Sequence, residues 1–288
     1  MTTENTATTV CHMFPGQGSQ KKGMGEGLFE RFPELTAAAD LQLGYSIREL
    51  CLTDPGDRLA QTQFTQPALY TVNALAHLAL IQDGSTAPRF VAGHSLGEYN
   101  ALFAAEVFDF ITGLRLVQKR GALMATAQGG GMAAVVGLDV SQVQAVLSQQ
   151  GLSSIDLANL NTPTQIVISG PRDEILRAKP IFEAAGAAMF VPLNVSGAFH
   201  SRYMLESQRE FREFLKTFSY AAPKIPVIAN VNALPYPLNT TVDLLADQLT
   251  SSVRWVDSIQ QLRRLGVTEF KEVGPGKVLS GLVRKIPA

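Results

Sequence analysis

Cysteine is almost absent: Cys11 and Cys51 are the only two in 288 residues. Two thiols make neither a disulfide scaffold nor a zinc site, and they are expected to be reduced core residues. Charge is sparse as well. Asp, Glu, Lys and Arg together make up 17% of the chain, the formal net charge is −1, and there is no long basic run. Nucleic acid and anionic membrane surfaces are therefore excluded as main partners. No apolar stretch approaches the ~20 residues of a membrane span. The Thr-rich start, residues 1–9, has neither the basic head nor the apolar core of a secretory signal. These absences lead to the expectation of a cytoplasmic protein. Histidine is scarce too, with four in the chain, which keeps the search for a general base short.

What is present is a large apolar content, 46% of residues, enough for one large α/β domain or a main domain with a smaller insertion. A short strand over 10–14 runs into Pro15-Gly16-Gln17-Gly18-Ser19-Gln20. Helical patterns follow at 25–32, 36–43 and 66–82, the last with Pro67 in the favoured first turn. An apolar run at 90–92, a helix over 98–106 and another over 111–127 lead to Gly129-Gly130-Gly131, where a boundary is expected. From 132 to 196 the pattern reads strand, helix, strand, strand, helix, strand, the ferredoxin-like order. The remainder returns to alternating helices and strands: helices at 202–218, 244–249 and 256–265 and from 277, strands at 227–230 and 269–273. The expected division is a large unit, residues 1–130 and 197–288, and an inserted small unit, residues 131–196.

Gly93-His94-Ser95-Leu96-Gly97 reads G-x-S-x-G between the 90–92 strand and the following helix. A sharp strand-to-helix turn needs small residues around a serine nucleophile, so that its hydroxyl stands clear of the backbone. The N–H after the serine then faces the same pocket at a helix N-terminus, which favours negative charge. Serine at its free pKa needs a base. His94 adjoins Ser95 and is expected to pack behind the turn. His12 lies inside the first strand, and His77 is expected at the surface or the core edge. His200 falls in the crossover segment Ser196-Gly197-Ala198-Phe199-His200-Ser201, where a loop histidine can reach a neighbouring elbow. Elimination and position make it the candidate base. The loop at 16–20 matches neither G-x-x-x-x-G-K-[ST] nor G-x-G-x-x-G. Its better use is a backbone N–H near Gln17, facing the elbow as the second wall of an oxyanion hole. On the 111–127 helix, Arg120 falls within the apolar arc. An inward guanidinium needs an anion, either an internal Asp or Glu or a substrate carboxylate.

Together these motifs closely resemble the malonyl-CoA:acyl carrier protein transacylases and the acyltransferase domains of polyketide and fatty acid synthases. The resemblance rests on Phe14 to Gln20 with Gly23-Met24-Gly25, on Thr65-Gln66-Pro67-Ala68-Leu69, and on Gly93 to Tyr99. It continues through Arg120-Gly121, Gly197-Ala198-Phe199-His200-Ser201 and Glu272 to Leu279. Gln61-Thr62-Gln63-Phe64 and the His200 motif tilt it toward discrete, trans-acting polyketide acyltransferases. The resemblance implies an α/β-hydrolase-like core with a parallel sheet and an inserted ferredoxin-like subdomain. It implies a Ser95–His200 dyad, with the main-chain carbonyl of Gln248 orienting the imidazole. Backbone N–H groups of Gln17 and Leu96 would form the oxyanion hole. Arg120 would bind the free carboxylate of the acyl group, and Phe199 beside the base resembles the malonyl-selective version. The expected substrates are a coenzyme A thioester, malonyl-CoA, and the phosphopantetheine thiol of an acyl carrier protein, with no permanently bound cofactor, no metal and a monomeric state. Hydrolases that release acyl chains from carrier proteins share this scaffold and are the alternative; such relatives tend to lack the arginine.

Overall fold

The computed structural model describes residues 8–287; most of the polar N-terminal stretch, residues 1–7, lies outside the described residues. Two sheets organise the chain. The first contains β1 (Val10–Phe14), β2 (Phe90–Gly93), β7 (Val227–Ile228) and β8 (Glu269–Glu272), in the order β7-β2-β1-β8 and all parallel. Its central strands are buried on both faces, as a parallel sheet covered by helices requires. Alternation along β1 splits its side chains between two cores. Cys11 and Met13 pack with Trp255, Ile259 and Leu262 on one face, while Phe14 joins Leu69, Val72 and Leu102 on the other.

The second sheet contains β3 (Gly130–Val136), β4 (Asp156–Thr162), β5 (Gln165–Pro171) and β6 (Met189–Pro192), in the order β4-β5-β3-β6 with every neighbour antiparallel. Helices Val140–Gln149 and Arg172–Ala184 cover one face, where Ala133, Val135, Ile166 and Ile168 meet Val143, Ile175 and Phe182. The first helix is opened by a capping box between Asp139 and Gln142. The other face turns Met132, Ala134 and Val167 into the main core. The edge of β4 is tied to a distant segment, with Leu160 N–H donating to the Val253 carbonyl and Val253 N–H to that of Ala158, each at 2.9 Å.

Two local expectations need correction, and one helix is added. The helix expected from 66 begins earlier, at Thr62, and runs to Gln82 with Pro67 inside it. Tertiary burial of 65–75 carries the helix through the missing proline N–H, overriding the local penalty. The 25–32 pattern yields only Leu28–Arg31, because Gly25 and Gly27 take positive φ. Helix Ile47–Thr53 was not anticipated, although its signal is in the sequence: Ser46 accepts from the Glu49 N–H in an S-x-x-E start.

Candidate active site

The register of β1 against β2 builds the site. Phe14 pairs with Gly93, so both strands end at one edge and the Pro15–Gln20 loop lies beside the elbow. The His94 N–H donates to the Phe14 carbonyl at 3.0 Å, fastening the two turns. A Cβ added to Gly97 would run into the Phe14 carbonyl, and one at Gly93 into the Gly97 backbone. These two close approaches are why the pattern demands glycine on both sides. Ser95 itself sits at φ 51, in the left-handed region that a non-glycine residue adopts at a cost. Asn230 holds it there: its Oδ1 accepts from the Ser95 N–H and its Nδ2 donates to the Gly93 carbonyl, both at 2.7 Å.

His200 arrives from the segment that follows β6, also with positive φ, at 56. Its Nε2 lies 2.8 Å from Ser95 Oγ, and its Nδ1 lies 2.8 Å from the main-chain carbonyl of Gln248. A carbonyl only accepts, so Nδ1 carries the proton and Nε2 faces the serine as an acceptor. Burial first, and then the charge of Arg120, press the imidazole down to about 3; hydrogen bonding to Gln248 draws it back in part. The other histidines are placed elsewhere. His94 Nε2 pairs with Asn161 Oδ1 at 2.8 Å while its ring tilts on Trp255. His77 is not at the surface: it is 6% exposed, with its Nδ1 3.4 Å from that of His12.

Arg120 lies inward, 1% exposed, on helix Phe110–Thr126. It has no carboxylate in direct contact among the described residues. Its Nη1 donates to Gln66 Oε1 at 2.9 Å, and its Nη2 to Gln248 Oε1 at 2.8 Å and Ser95 Oγ at 3.1 Å. Its Nε is buried without a partner. The internal ion pair open at the sequence level is therefore not formed; neutral amides hold the charge.

Ser95, His200 and Arg120 line one pocket of about 80 Å³ with Gln17, Leu96 and Phe199. Met132 and Asn159 close it from the second sheet. Among the described residues, neither the Gln17 nor the Leu96 main-chain N–H is taken by another group. All seven residues singled out from the sequence thus meet in one place, Gln248 through its carbonyl. Sequence reasoning missed Gln66, Asn230 and Glu98. Gln66 was inside a quoted motif, but nothing in the sequence linked it to Arg120. Glu98 is fully buried; its Oε1 accepts from Tyr236 Oη at 2.6 Å and Asn230 N–H at 3.1 Å, and its Oε2 from Gln248 Nε2. Burial pushes this carboxyl up to about 7 against the pull of those donors.

The arrangement pairs a nucleophile with a base, leaves two N–H groups for an oxyanion and offers a buried cation for a carboxylate. Comparisons with known proteins identify the family. The acyl transferase domain family matches residues 11–284. The chain is 58% identical over 278 residues to the polyketide biosynthesis malonyl CoA-acyl carrier protein transacylase PksC of Bacillus subtilis, covering 96% of each chain. Among solved structures, a malonyl CoA-acyl carrier protein transacylase from Burkholderia pseudomallei superposes with a TM-score of 0.95 at 50% identity, over 98% of this chain and all of that one. A malonyl-transacylase in complex with its type II polyketide acyl-carrier protein superposes at 0.92 and 34% identity, over 97% and 93% of the two chains.

Proposed function

The chain belongs to the acyl transferase domain family, and from that membership we propose that it moves a malonyl group from malonyl-CoA to the phosphopantetheine thiol of an acyl carrier protein. The reading extends to a role in trans, in polyketide synthesis, supported by the 58% identity to a relative of that name. The observation that carries it is the meeting of two groups on one oxygen: Ser95 Oγ lies 2.8 Å from His200 Nε2 and 3.1 Å from Arg120 Nη2.

The reaction proceeds in two half-steps. His200 Nε2 takes the hydroxyl proton as Ser95 Oγ attacks the malonyl thioester carbonyl. The oxyanion that forms is met by the Gln17 and Leu96 N–H groups, each donor worth ~3–4 kcal/mol at the transition state. The intermediate collapses, the C–S bond breaks, and coenzyme A leaves with the proton from Nε2. The malonyl group is now an ester on Ser95, its free carboxylate on Arg120. The carrier's thiol then gives its proton to His200, attacks the ester carbonyl and takes the acyl group, and Ser95 Oγ recovers the proton. Neutral His200 is needed at both attacks, and its depressed proton affinity keeps it so. In this reading residues 1–130 and 197–288 hold the dyad, and residues 131–196 close the pocket over it.

The test is to mix the protein with radiolabelled malonyl-CoA and a holo acyl carrier protein. Label on the carrier is the expected result. Free malonate as the main product, with little label on the carrier, overturns transfer in favour of hydrolysis.

A further inference from the structure

Gln248 serves the site three times over. Its carbonyl accepts from His200 Nδ1, its Oε1 accepts from Arg120 Nη2, and its Nε2 donates to the Ser95 carbonyl at 3.0 Å and to Glu98 Oε2. A side-chain amide can be turned over at little steric cost, so its hydrogen-bond partners decide which end faces which group. Arg120 is a donor only, and a turned amide would set N–H against N–H there. Of the partners on the other end, Glu98 is the one that carries charge. Ionised above about pH 7, Glu98 offers acceptors and no donor, so it accepts only the Nε2 end.

We propose that Glu98 is a positioning residue that fixes the Gln248 amide and through it holds Arg120 ready for the free carboxylate of the acyl group. The charges are arranged as guanidinium, amide and carboxylate in series, so Arg120 is balanced without being occupied. A direct Glu98–Arg120 ion pair would compete with the substrate; one amide between them leaves Arg120 Nε unpartnered and its face open toward Ser95. Glu98 lies on the elbow helix Gly97–Ala104, three residues from the nucleophile, and Asn230 joins it to the same network by donating its N–H to Glu98. This inference rests on the malonyl-transfer reading.

The test is Glu98→Gln, assayed with malonyl-CoA and with acetyl-CoA, which lacks the second carboxylate. In this variant Tyr236 and the Asn230 N–H still require an acceptor where Oε1 stood. The new amide therefore directs its NH₂ at Gln248 Nε2, so that two donors face each other and the Gln248 side chain is displaced from its place against Arg120. Loss of one hydrogen bond to a charged group predicts a malonyl-CoA KM raised about ten- to 150-fold, with kcat/KM for acetyl-CoA within about twofold of the parent. Equal losses on both donors would mean that Glu98 merely stabilises the fold, and an unchanged malonyl-CoA KM would mean that it does not position Arg120; either overturns the proposal. Should Glu98→Gln fail to fold, Glu98→Asp is read the same way, since its shorter side chain keeps the charge but withdraws from Gln248. Parent protein that transfers no malonyl group defeats the functional reading, and this inference with it; a parent that does, beside a variant with no KM split, defeats this inference alone.

Discussion

Arg120 Nη2 donates to Ser95 Oγ across 3.1 Å. In the malonyl-transfer reading the substrate's far carboxylate and the attacking oxygen would therefore share one cation. Arg120→Ala is expected to cut kcat/KM for malonyl-CoA by about 2–5 kcal/mol of transition-state binding, roughly thirty- to several-thousand-fold. Acetyl-CoA, with no carboxylate to place, is expected to lose far less. Steady-state kinetics with the two donors checks this.

The same charge acts on the base. Arg120 is the second cause, after burial, holding His200 to about 3. Removing the cation lets the imidazole gain a proton more readily, so the acid limb of the rate profile moves to higher pH in Arg120→Ala. Acetyl-CoA is the donor to use, because it separates base strength from carboxylate binding. A profile of kcat/KM against pH for both proteins reads the shift, and a limb that stays put or moves down contradicts it.

Phe199 is buried in the pocket beside His200. In the malonyl-transfer reading its ring would take the space that a branch at the α-carbon of the acyl group needs. Phe199→Ser is expected to raise methylmalonyl-CoA turnover relative to malonyl-CoA by about ten- to two-hundred-fold, the worth of one methyl in an apolar pocket. A competition assay with both thioesters measures the ratio directly.

Stability should fall with acid in a definite window. Burial holds His12 and His77 to about 4 and His200 to about 3, below the 6.5 of a free imidazole. Between pH 6.5 and those values the unfolded chain binds protons that the folded chain refuses, so stability declines as pH drops. Glu98 works the other way, since its raised value makes the folded state bind a proton between about 7 and 4.5. His94, also lowered by burial, joins these three against the one carboxyl, leaving a net loss on acidification. His77→Leu removes one of these histidines, and its melting temperature should fall less steeply than that of the parent between pH 6.5 and 4.

The dyad was legible in the sequence because glycine spacing and scarce histidine are local signals. Gly93 and Gly97 mark close backbone approaches that the structure displays, and four histidines left few candidates for the base. The ferredoxin-like strand order was legible for a similar reason, as alternating short strands and helices with clear breaks. What stayed hidden depends on long-range burial. Asn230 sits 135 residues from the Ser95 N–H it accepts, and buried polar residues have the same letters as exposed ones. His77 looked peripheral because its helix was judged by local pattern, yet it is buried where that helix meets β1 at His12. Pro67 suggests a helix start for the same reason: packing, which no short window contains, carries the helix through it.

The most direct measurement is mass spectrometry of the protein after brief incubation with malonyl-CoA alone, followed by addition of holo acyl carrier protein. A malonyl ester is expected on the peptide containing Ser95, absent in Ser95→Ala, and it disappears as the carrier gains the same group. A stable protein that gains no adduct, or gains it on another residue, would contradict acyl transfer through Ser95.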